Sequence, residues 1–245
     1  MTTQEFSNSI DTLLNSYNNQ DMFGDTTSKA DLSLDEYEKS IFLTQAQDII
    51  IKQYFEQGPI KGQGFDESER RQVDFSNLIT INTPSKLASQ TSLYDSRGII
   101  YQLPTNILFM LNEKFTITTN NIINNYVVIP INYKEFDRLM SKAYSQPLKK
   151  QCWRLFQNVS GVDVLSEIIP ISGSVSSNST TVYKIRYVKK PNPIILTDLP
   201  DNLSIDGVSV TTECSLNPIV HIDILNKAVE LILSTRGKIS PQNKQ

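Results

Sequence analysis

The sequence is poor in the residues that carry most enzyme chemistry. His221 is the only histidine among 245 residues, so any Ser–His–Asp, Cys–His or imidazole–metal site must use it. Cys152 and Cys214 are the only cysteines, which excludes a disulfide framework and a four-ligand zinc site. We therefore predict two buried free thiols, no cofactor and no bound metal.

Long apolar runs and an excess of positive charge are missing as well. No run approaches the roughly 18 apolar residues that a membrane-spanning helix needs, and no basic-then-apolar leader opens the sequence. The formal net charge is −3, which argues against a protein whose role is to neutralise nucleic-acid phosphates. We expect a chain that is neither secreted nor membrane-spanning and that works in a reducing compartment.

The first third of the chain predicts helices. Apolar residues recur at the spacing of one helical face, at Phe6, Ile10, Leu13, Leu14 and Tyr17. They predict a helix over residues 5–20, and the aperiodic residues 21–32 predict a linker that makes this helix an arm. Ser33 and Glu36 match a capping box and predict a second helix over residues 34–57. Its apolar face is predicted at Leu34, Tyr37, Ile41, Phe42, Ile49 and Ile50.

The middle of the chain predicts strands. Residues 107–118 and 122–131 are rich in β-branched and aromatic side chains and are separated by Thr119, Asn120 and Asn121, which predicts a hairpin. A short helix is predicted over residues 133–144. Further strands are predicted over residues 151–157, 165–171 and 182–188. We predict that residues 172–181, rich in Gly, Ser, Asn and Thr, join the last two strands as a flexible hairpin tip.

The last third predicts one well-marked helix. Asn217 fits an N-cap, Pro218 the first helical position and Gly237 the position after the last turn. Its apolar face is predicted at Ile222, Leu225, Val229 and Ile232. N-terminal helices, an antiparallel β-rich middle and a C-terminal helix predict an α+β fold. We predict three parts: an arm and linker over residues 1–32, one domain over residues 33–237 and a flexible tail over residues 238–245.

The groups that could do chemistry have simpler structural interpretations. His221 falls in the first turn of the last helix, where the helix dipole disfavours an imidazolium, so we predict a surface or packing histidine. Cys152 has no helix N-terminus of its own to lower its pKa, so we predict a structural thiol. Aspartates in one loop, Asp198, Asp201 and Asp206, offer oxygen ligands for Mg²⁺ or Ca²⁺, but their spacing favours solvated turn residues.

Several segments together resemble one family of proteins. They are residues 34–47 (LDEYEKSIFLTQAQ), 131–144 (INYKEFDRLMSKAY), 147–155 (PLKKQCWRL), 182–191 (VYKIRYVKKP) and 214–221 (CSLNPIVH). The set resembles structural neck or ring proteins of crAss-like and related Bacteroidales tailed phages. The resemblance implies a head–tail connector: a virion protein stacked in twelve copies between portal and tail around the DNA conduit. It implies no catalytic residues.

The resemblance also implies partners and candidate contact residues. The expected partners are further copies of this chain, the portal protein and neighbouring ring or tail proteins, with genomic DNA passing through without sequence-specific binding. Contacts are expected from the first helix (Phe6, Ile10, Leu13, Leu14, Tyr17), from the Ser-rich segment (Ser174, Ser176, Asn178) and from the tail (Lys238, Ile239). The expected location is the neck or tail region of a virion whose proteins are made in the host bacterial cytoplasm. The alternatives are a tail or baseplate component and a virion-associated hydrolase that uses His221 or a carboxylate pair.

The predicted arm can be tested by deletion. Because the linker separates the first helix from the capped start of the second, we expect deletion of residues 1–32 to leave a soluble fold and to weaken assembly. Size-exclusion chromatography of the deleted and full chains measures both effects. Unchanged oligomerisation after the deletion contradicts the expectation.

Overall fold

The chain folds into two compact units. Residues 1–78 and 191–245 form the helical unit, and residues 79–190 form the sheet unit. The computed structural model describes residues 1–20, 34–56, 73–87, 95–142, 146–159, 163–176, 178–200 and 202–235. Within these ranges, four α-helices and one eight-stranded mixed sheet confirm the predicted α+β class. The predicted division into arm, single domain and tail stays a prediction.

The elements follow the order predicted from the sequence. The helices are α1 (Thr3–Gln20), α2 (Glu36–Glu56), α3 (Tyr133–Met140) and α4 (His221–Thr235). The strands are β1 (Ile79–Asn82), β2 (Ser85–Lys86), β3 (Ile99–Gln102), β4 (Ile107–Thr119), β5 (Ile122–Pro130), β6 (Gln151–Val159), β7 (Asp163–Pro170) and β8 (Thr180–Lys189). The predicted β4–β5 hairpin is confirmed. Its two-residue turn has positive φ angles at Asn120 (50°) and Asn121 (64°), which asparagine tolerates.

The eight-stranded sheet of the sheet unit curls into a barrel. β1 and β2 lie at opposite ends of the strand order β1-β8-β4-β5-β6-β7-β3-β2, yet only Thr83 and Pro84 separate them in the chain. Because three Cα–Cα steps reach at most roughly 11 Å, the two ends of the sheet lie side by side. Across the interior, the Tyr101 hydroxyl on β3 donates to Thr181 Oγ1 on β8 at 2.9 Å.

Apolar side chains fill the barrel and cover part of its outer face. The interior cluster contains Ile99, Tyr101, Leu103, Phe115, Ile117, Val128, Cys152, Ile168, Tyr183, Ile185 and Tyr187. On the outside, α3 packs against β6 and β7 through Phe136, Trp153, Leu155 and Ile169. Phe115 and Ile117 of β4 and Tyr183, Ile185 and Tyr187 of β8 face inward at alternate positions, as the two-residue period of a strand requires.

Two connections differ from simple hairpins. β5 and β6 pair in parallel, because α3 and its flanking residues carry the chain back to the starting end of the sheet. The predicted hairpin between β7 and β8 is wrong: β7 pairs with β6 and β3, whereas β8 pairs with β1 and β4. The Ser-rich segment is therefore a crossover, and its Val175 packs against the interior cluster. Composition marked the loop correctly but carries no information on which strands pair.

A buried lysine ties α1 to α2 in the helical unit. Lys39, on α2, is 3% exposed. Its ammonium contacts Asp11 of α1 at 2.8 Å, Glu36 of α2 at 2.9 Å and the Ser7 hydroxyl of α1 at 3.1 Å. Burial alone lowers the pKa of Lys39, but the bonds to Asp11 and Glu36 outweigh it and raise the pKa above its ordinary value. The lysine stays charged and holds the two helices in one register.

The buried face of α2 is more polar than predicted. Ser40, Thr44 and Gln47 are buried, whereas the predicted face residues Ile41, Phe42 and Ile49 are only half-buried. Ser40 Oγ accepts from the Leu196 amide, Thr44 Oγ1 accepts from the Ile194 amide, and Gln47 Nε2 donates to the Asn192 carbonyl. These bonds satisfy an extended backbone segment that has only one described bridge, Ile195 to Thr212. The spacing of apolar residues does not predict these three buried positions, because serine, threonine and glutamine are usually found at the surface.

The start of α4 is confirmed and its predicted apolar face needs one correction. The Asn217 side chain accepts from the Ile219 amide at 3.2 Å, and Pro218 opens a 3₁₀ turn that leads into the helix. Ile222 is 61% exposed, and the buried face consists of His221, Ile224, Leu225, Ala228, Val229, Ile232 and Leu233. The predicted cap Ser33, the linker over residues 21–32 and the predicted helix end Gly237 lie outside the described residues.

The packing of α1 changes the expectation for its removal. Phe6 is completely buried, and α1 packs on both α2 and α4. We expect Phe6→Ala to lower the free energy of unfolding by about 3 kcal/mol, the usual cost of emptying a phenylalanine site. Deletion of residues 1–32 removes the same contacts and should destabilise the helical unit instead of leaving it intact. Urea unfolding followed by circular dichroism measures both.

Tyr17→Ala is the matched control for that prediction. Tyr17 lies on the same helix and is 44% exposed, so its truncation should change the unfolding free energy by less than about 0.5 kcal/mol. Equal effects of the two substitutions would contradict the docked position of α1.

Candidate assembly surface

The N-terminal contact candidates divide between the interior and the surface of this chain. Phe6, Ile10 and Leu14 are at most 1% exposed, and the Phe6 ring lies 5.4 Å from the ring of His221. Leu13 is half-buried and lines a groove of about 380 Å³ with Leu225 of α4. Only Leu13 and Tyr17 therefore offer apolar surface to another molecule while α1 stays docked. Contacts of these residues with other copies stay a prediction.

The Ser-rich crossover is held by its own hydroxyl groups. Ser174 Oγ donates to the Ile171 carbonyl at 2.6 Å, and Ser176 Oγ lies 2.9 Å from Ser179 Oγ. Asn178 is exposed. The segment thus offers polar surface at one end of the barrel, and its contact with an adjacent ring stays a prediction. Lys238 and Ile239 lie outside the described residues.

His221 is a packing histidine with both ring nitrogens engaged. The N-terminal ammonium of Met1 lies 2.7 Å from Nδ1, and Nε2 lies 3.1 Å from the Leu216 carbonyl. An ammonium only donates and a carbonyl only accepts, so the ring is neutral with its proton on Nε2. Burial lowers the pKa of His221, and the Met1 charge lowers it further against the opposing Leu216 bond. The His221 imidazole thus links the start of α1 to the start of α4.

The thiols and the loop aspartates also have structural partners. Burial raises the pKa of Cys152 to about 12, which disfavours the reactive thiolate, and the Cys214 thiol donates to Gln47 Oε1 at 3.5 Å. Asp198 accepts from the amide and the hydroxyl of Thr211, both at 2.7 Å. Within the described ranges no three His, Cys, Asp or Glu residues are placed to hold a metal ion.

An ion pair lies inside the barrel. Arg154 Nε is 2.9 Å from Glu113 Oε2, and both side chains are at most 8% exposed. The Tyr183 hydroxyl donates to the same carboxylate at 2.6 Å, and the Arg154 guanidinium lies 3.8 Å from the centre of the Phe156 ring. Burial raises the pKa of Glu113, against the opposing effects of Arg154 and Tyr183. The group crosses the interior from β4 to β6 and fixes their relative position.

The first half of β5 has one open edge. The amides of Val127 and Ile131 donate toward β6, to the carbonyls of Lys150 and Arg154. The backbone amides and carbonyls of a strand point to its two edges at alternate residues. Those of Ile123 and Asn125 therefore point to the same edge of β5 as those of Val127, the edge that faces β6. Pairing with β6 begins only at Val127. Within the described part of the chain, no strand continues along this side of residues 122–126.

Exposed apolar side chains lie beside the open edge. They are Ile122, Ile123, Val127 and Leu148, between 63% and 70% exposed. No charged residue occurs from residue 115 to residue 133, so the strand lacks the charges that usually protect an edge from pairing. We call residues 122–127 with Leu148 the β5 edge patch. The charge-free run was visible in the sequence, but only the strand order shows that it borders an open edge.

The two units carry opposite net charges. Residues 79–190 contain 13 Lys and Arg against 6 Asp and Glu, a formal charge of +7. The remaining residues contain 10 Lys and Arg against 20 Asp and Glu, a formal charge of −10. The overall value of −3 therefore hides two units of strongly opposite net charge. Opposite charges on different molecules attract each other.

Comparison with known proteins identifies the family. The chain matches the family model described as "Phage tail ring protein 3/4" over residues 1–244. The chain belongs to this family of phage ring proteins. It is 41% identical over 238 residues to "Ring protein 4/5" of Bacteroides phage crAss001, covering 94% of this chain and 92% of that protein. It is 33% identical over 246 residues to "Ring protein 3" of the same phage, covering 98% of each chain.

Membership in the ring protein family confirms the resemblance seen in the sequence. The match covers both units, so the acidic helical unit and the basic sheet unit are both parts of the ring protein. Among the described helices, none is long and apolar enough to cross a membrane. The candidate functional regions of this ring protein are thus the β5 edge patch and the two units of opposite net charge.

The neutral state of His221 makes stability depend on pH. Its pKa is lowered in the fold, so the unfolded chain binds the proton first as pH falls. Stability should therefore be constant above the ordinary histidine pKa of about 6.5, fall below it, and level off once the folded form is protonated too. Urea unfolding between about pH 7.5 and pH 5.5 measures the slope.

His221→Gln is the control for this titration. Glutamine can keep a hydrogen bond to the Leu216 carbonyl but does not titrate. The variant should be less stable at neutral pH and should lose the slope across the same pH range. A slope that survives the substitution would assign the titration to another group.

Proposed function

We propose that this ring protein is a non-enzymatic structural subunit of a closed ring in the phage neck, in twelve copies, linking the portal to the tail around the DNA conduit. Family membership over residues 1–244 carries the proposal. A ring needs two different complementary faces on every subunit, so that each copy binds the next and rotation closes the circle. The oppositely charged units offer such a pair.

The position of the basic sheet unit in the ring decides whether its positive charge lies close to the DNA. A conduit lined by positive charge would bind phosphates and slow the genome. We propose that the +7 sheet unit faces neighbouring proteins and that the acidic helical unit supplies the surface nearest to DNA. DNA then passes without sequence-specific binding, and the portal protein and adjacent ring or tail proteins are the other partners.

A position within the tail is the second candidate. The family description names a tail ring protein, which favours a place below the neck. A virion-associated hydrolase has weaker support, because His221 and Asp198 are engaged in structural bonds and burial raises the pKa of Cys152. His221→Gln should therefore leave ring assembly unaffected at neutral pH, and loss of an enzymatic activity with assembly intact would favour the hydrolase.

Electron cryo-microscopy of intact virions tests the position and the copy number. We expect density for this chain as a twelvefold ring between portal and tail. A sixfold or threefold arrangement farther from the capsid would replace the neck position by the tail position. Absence of the chain from purified particles, checked by mass spectrometry, would contradict a structural role altogether.

A further inference from the structure

The β5 edge patch has the properties of a surface that is covered in the working assembly. It combines backbone groups at Ile123 and Asn125 that have no strand partner on this side among the described residues, four exposed apolar side chains and no charge. The ends of the sheet differ from it, since β1 has four residues and β2 only two, and Pro84 lies between them. Proteins usually keep exposed edges short or protect them by charge and proline, and the two ends of this sheet are short and lie side by side. The patch is long and unprotected.

Lysines surround this apolar patch. Lys114 lies opposite Val127 in the β4–β5 register and opposite Lys184 in the β4–β8 register. Lys149 and Lys150 are exposed and follow Leu148 directly. Like charges directly opposite on neighbouring strands destabilise a sheet unless another molecule neutralises them. The patch therefore fits a partner with an apolar, acidic surface.

A loop of the helical unit has that chemistry. Residues 197–213 lie between the extended segment and α4, and residues 191–226 contain five acidic residues but no lysine or arginine. Within the loop, Val210 is 60% exposed and Leu203 is 38% exposed. Asp206 and Glu213 are exposed as well. We call residues 197–200 and 202–213 the acidic loop.

We propose, building on the ring function above, that the β5 edge patch of one copy binds the acidic loop of the next copy. The contact joins different surfaces of identical chains, so it is heterologous and can close into a ring. Apolar contacts of Ile123 and Val127 with Leu203 and Val210 supply the central part of the interface. Lys114 and Lys149 pair with the acidic loop at its rim, which sets orientation and association rate.

Charge reversal on each surface tests the proposal with the full chain. Lys114→Glu/Lys149→Glu changes the patch, and Asp206→Asn/Glu213→Lys changes the acidic loop while keeping a residue that tolerates the positive φ of 51° at residue 206. Sedimentation velocity over a concentration series measures self-association. We expect each variant alone to associate roughly tenfold more weakly than the natural sequence, because rim pairs contribute modestly.

Mixing the two variants separates this interface from other arrangements. In an alternating ring the two carboxylates introduced at positions 114 and 149 face the lysine introduced at position 213, so an equimolar mixture should recover self-association. A patch-to-patch contact would not recover. Failure of the mixture to associate while each variant keeps its fold, checked by circular dichroism, overturns the proposal.

Ile123→Lys tests the apolar centre. A lysine at this 65% exposed position leaves the fold unchanged and should abolish association, whereas Ile81→Lys, at a 70% exposed strand position outside the patch, should not. Equal effects of the two substitutions contradict the proposal.

A photo-reactive benzophenone residue at position 123 identifies the occupant. Cross-links to residues 197–213 of a second copy support the proposal, and cross-links to another segment of a second copy overturn it. A chain that stays monomeric at every concentration also overturns it, even if virions contain the ring, since the patch would then bind a different virion protein. These outcomes leave the neck ring itself to the microscopy.

Discussion

The connection between β1 and β2 is the constraint on which the sheet unit depends. Two residues, Thr83 and Pro84, join strands that end opposite sides of an eight-stranded order, so the sheet has to curl until its ends meet. Curling encloses an interior, which the chain fills with tyrosines, phenylalanine and the Glu113–Arg154 pair. It also uses the short ends of the sheet to complete the barrel. The unpaired half of β5 then remains as the long accessible edge of the described strands.

The helical unit is held by polar bonds placed where water cannot compete. Lys39 draws α1 onto α2 through acceptors on both helices, and Ser40, Thr44 and Gln47 bind an extended backbone segment. A buried polar group that loses its partner costs more than an apolar contact of similar size. The arrangement of these helices is therefore specific. The same bonds fix residues 192–196 on α2, and the acidic loop follows this segment in the chain.

The sequence predicted the elements better than their arrangement. Local signals were sufficient for the β4–β5 turn at Asn120 and Asn121 and for the α4 start at Asn217 and Pro218, because neighbouring residues decide such features. The partners of β7 and β8 depend on residues far apart in the sequence, so the composition of the Ser-rich segment cannot distinguish a crossover from a hairpin. The charge-free run around Ile123 is visible in the sequence, but only the strand order shows that it borders an open edge of the sheet. The opposite net charges of the two units can be counted only once the structure places the unit boundaries at residues 79 and 190.

The pairing of β1 with β8 sets the order of events during synthesis. Ile79 pairs with Val188, so more than one hundred residues must be made after β1 before its partner exists. At bacterial elongation rates this takes roughly 5 to 20 seconds, during which β1 has no partner strand. Loop closure over such a distance also slows folding itself. The newly made chain thus passes through a period in which premature pairing of β1 competes with completion of the barrel.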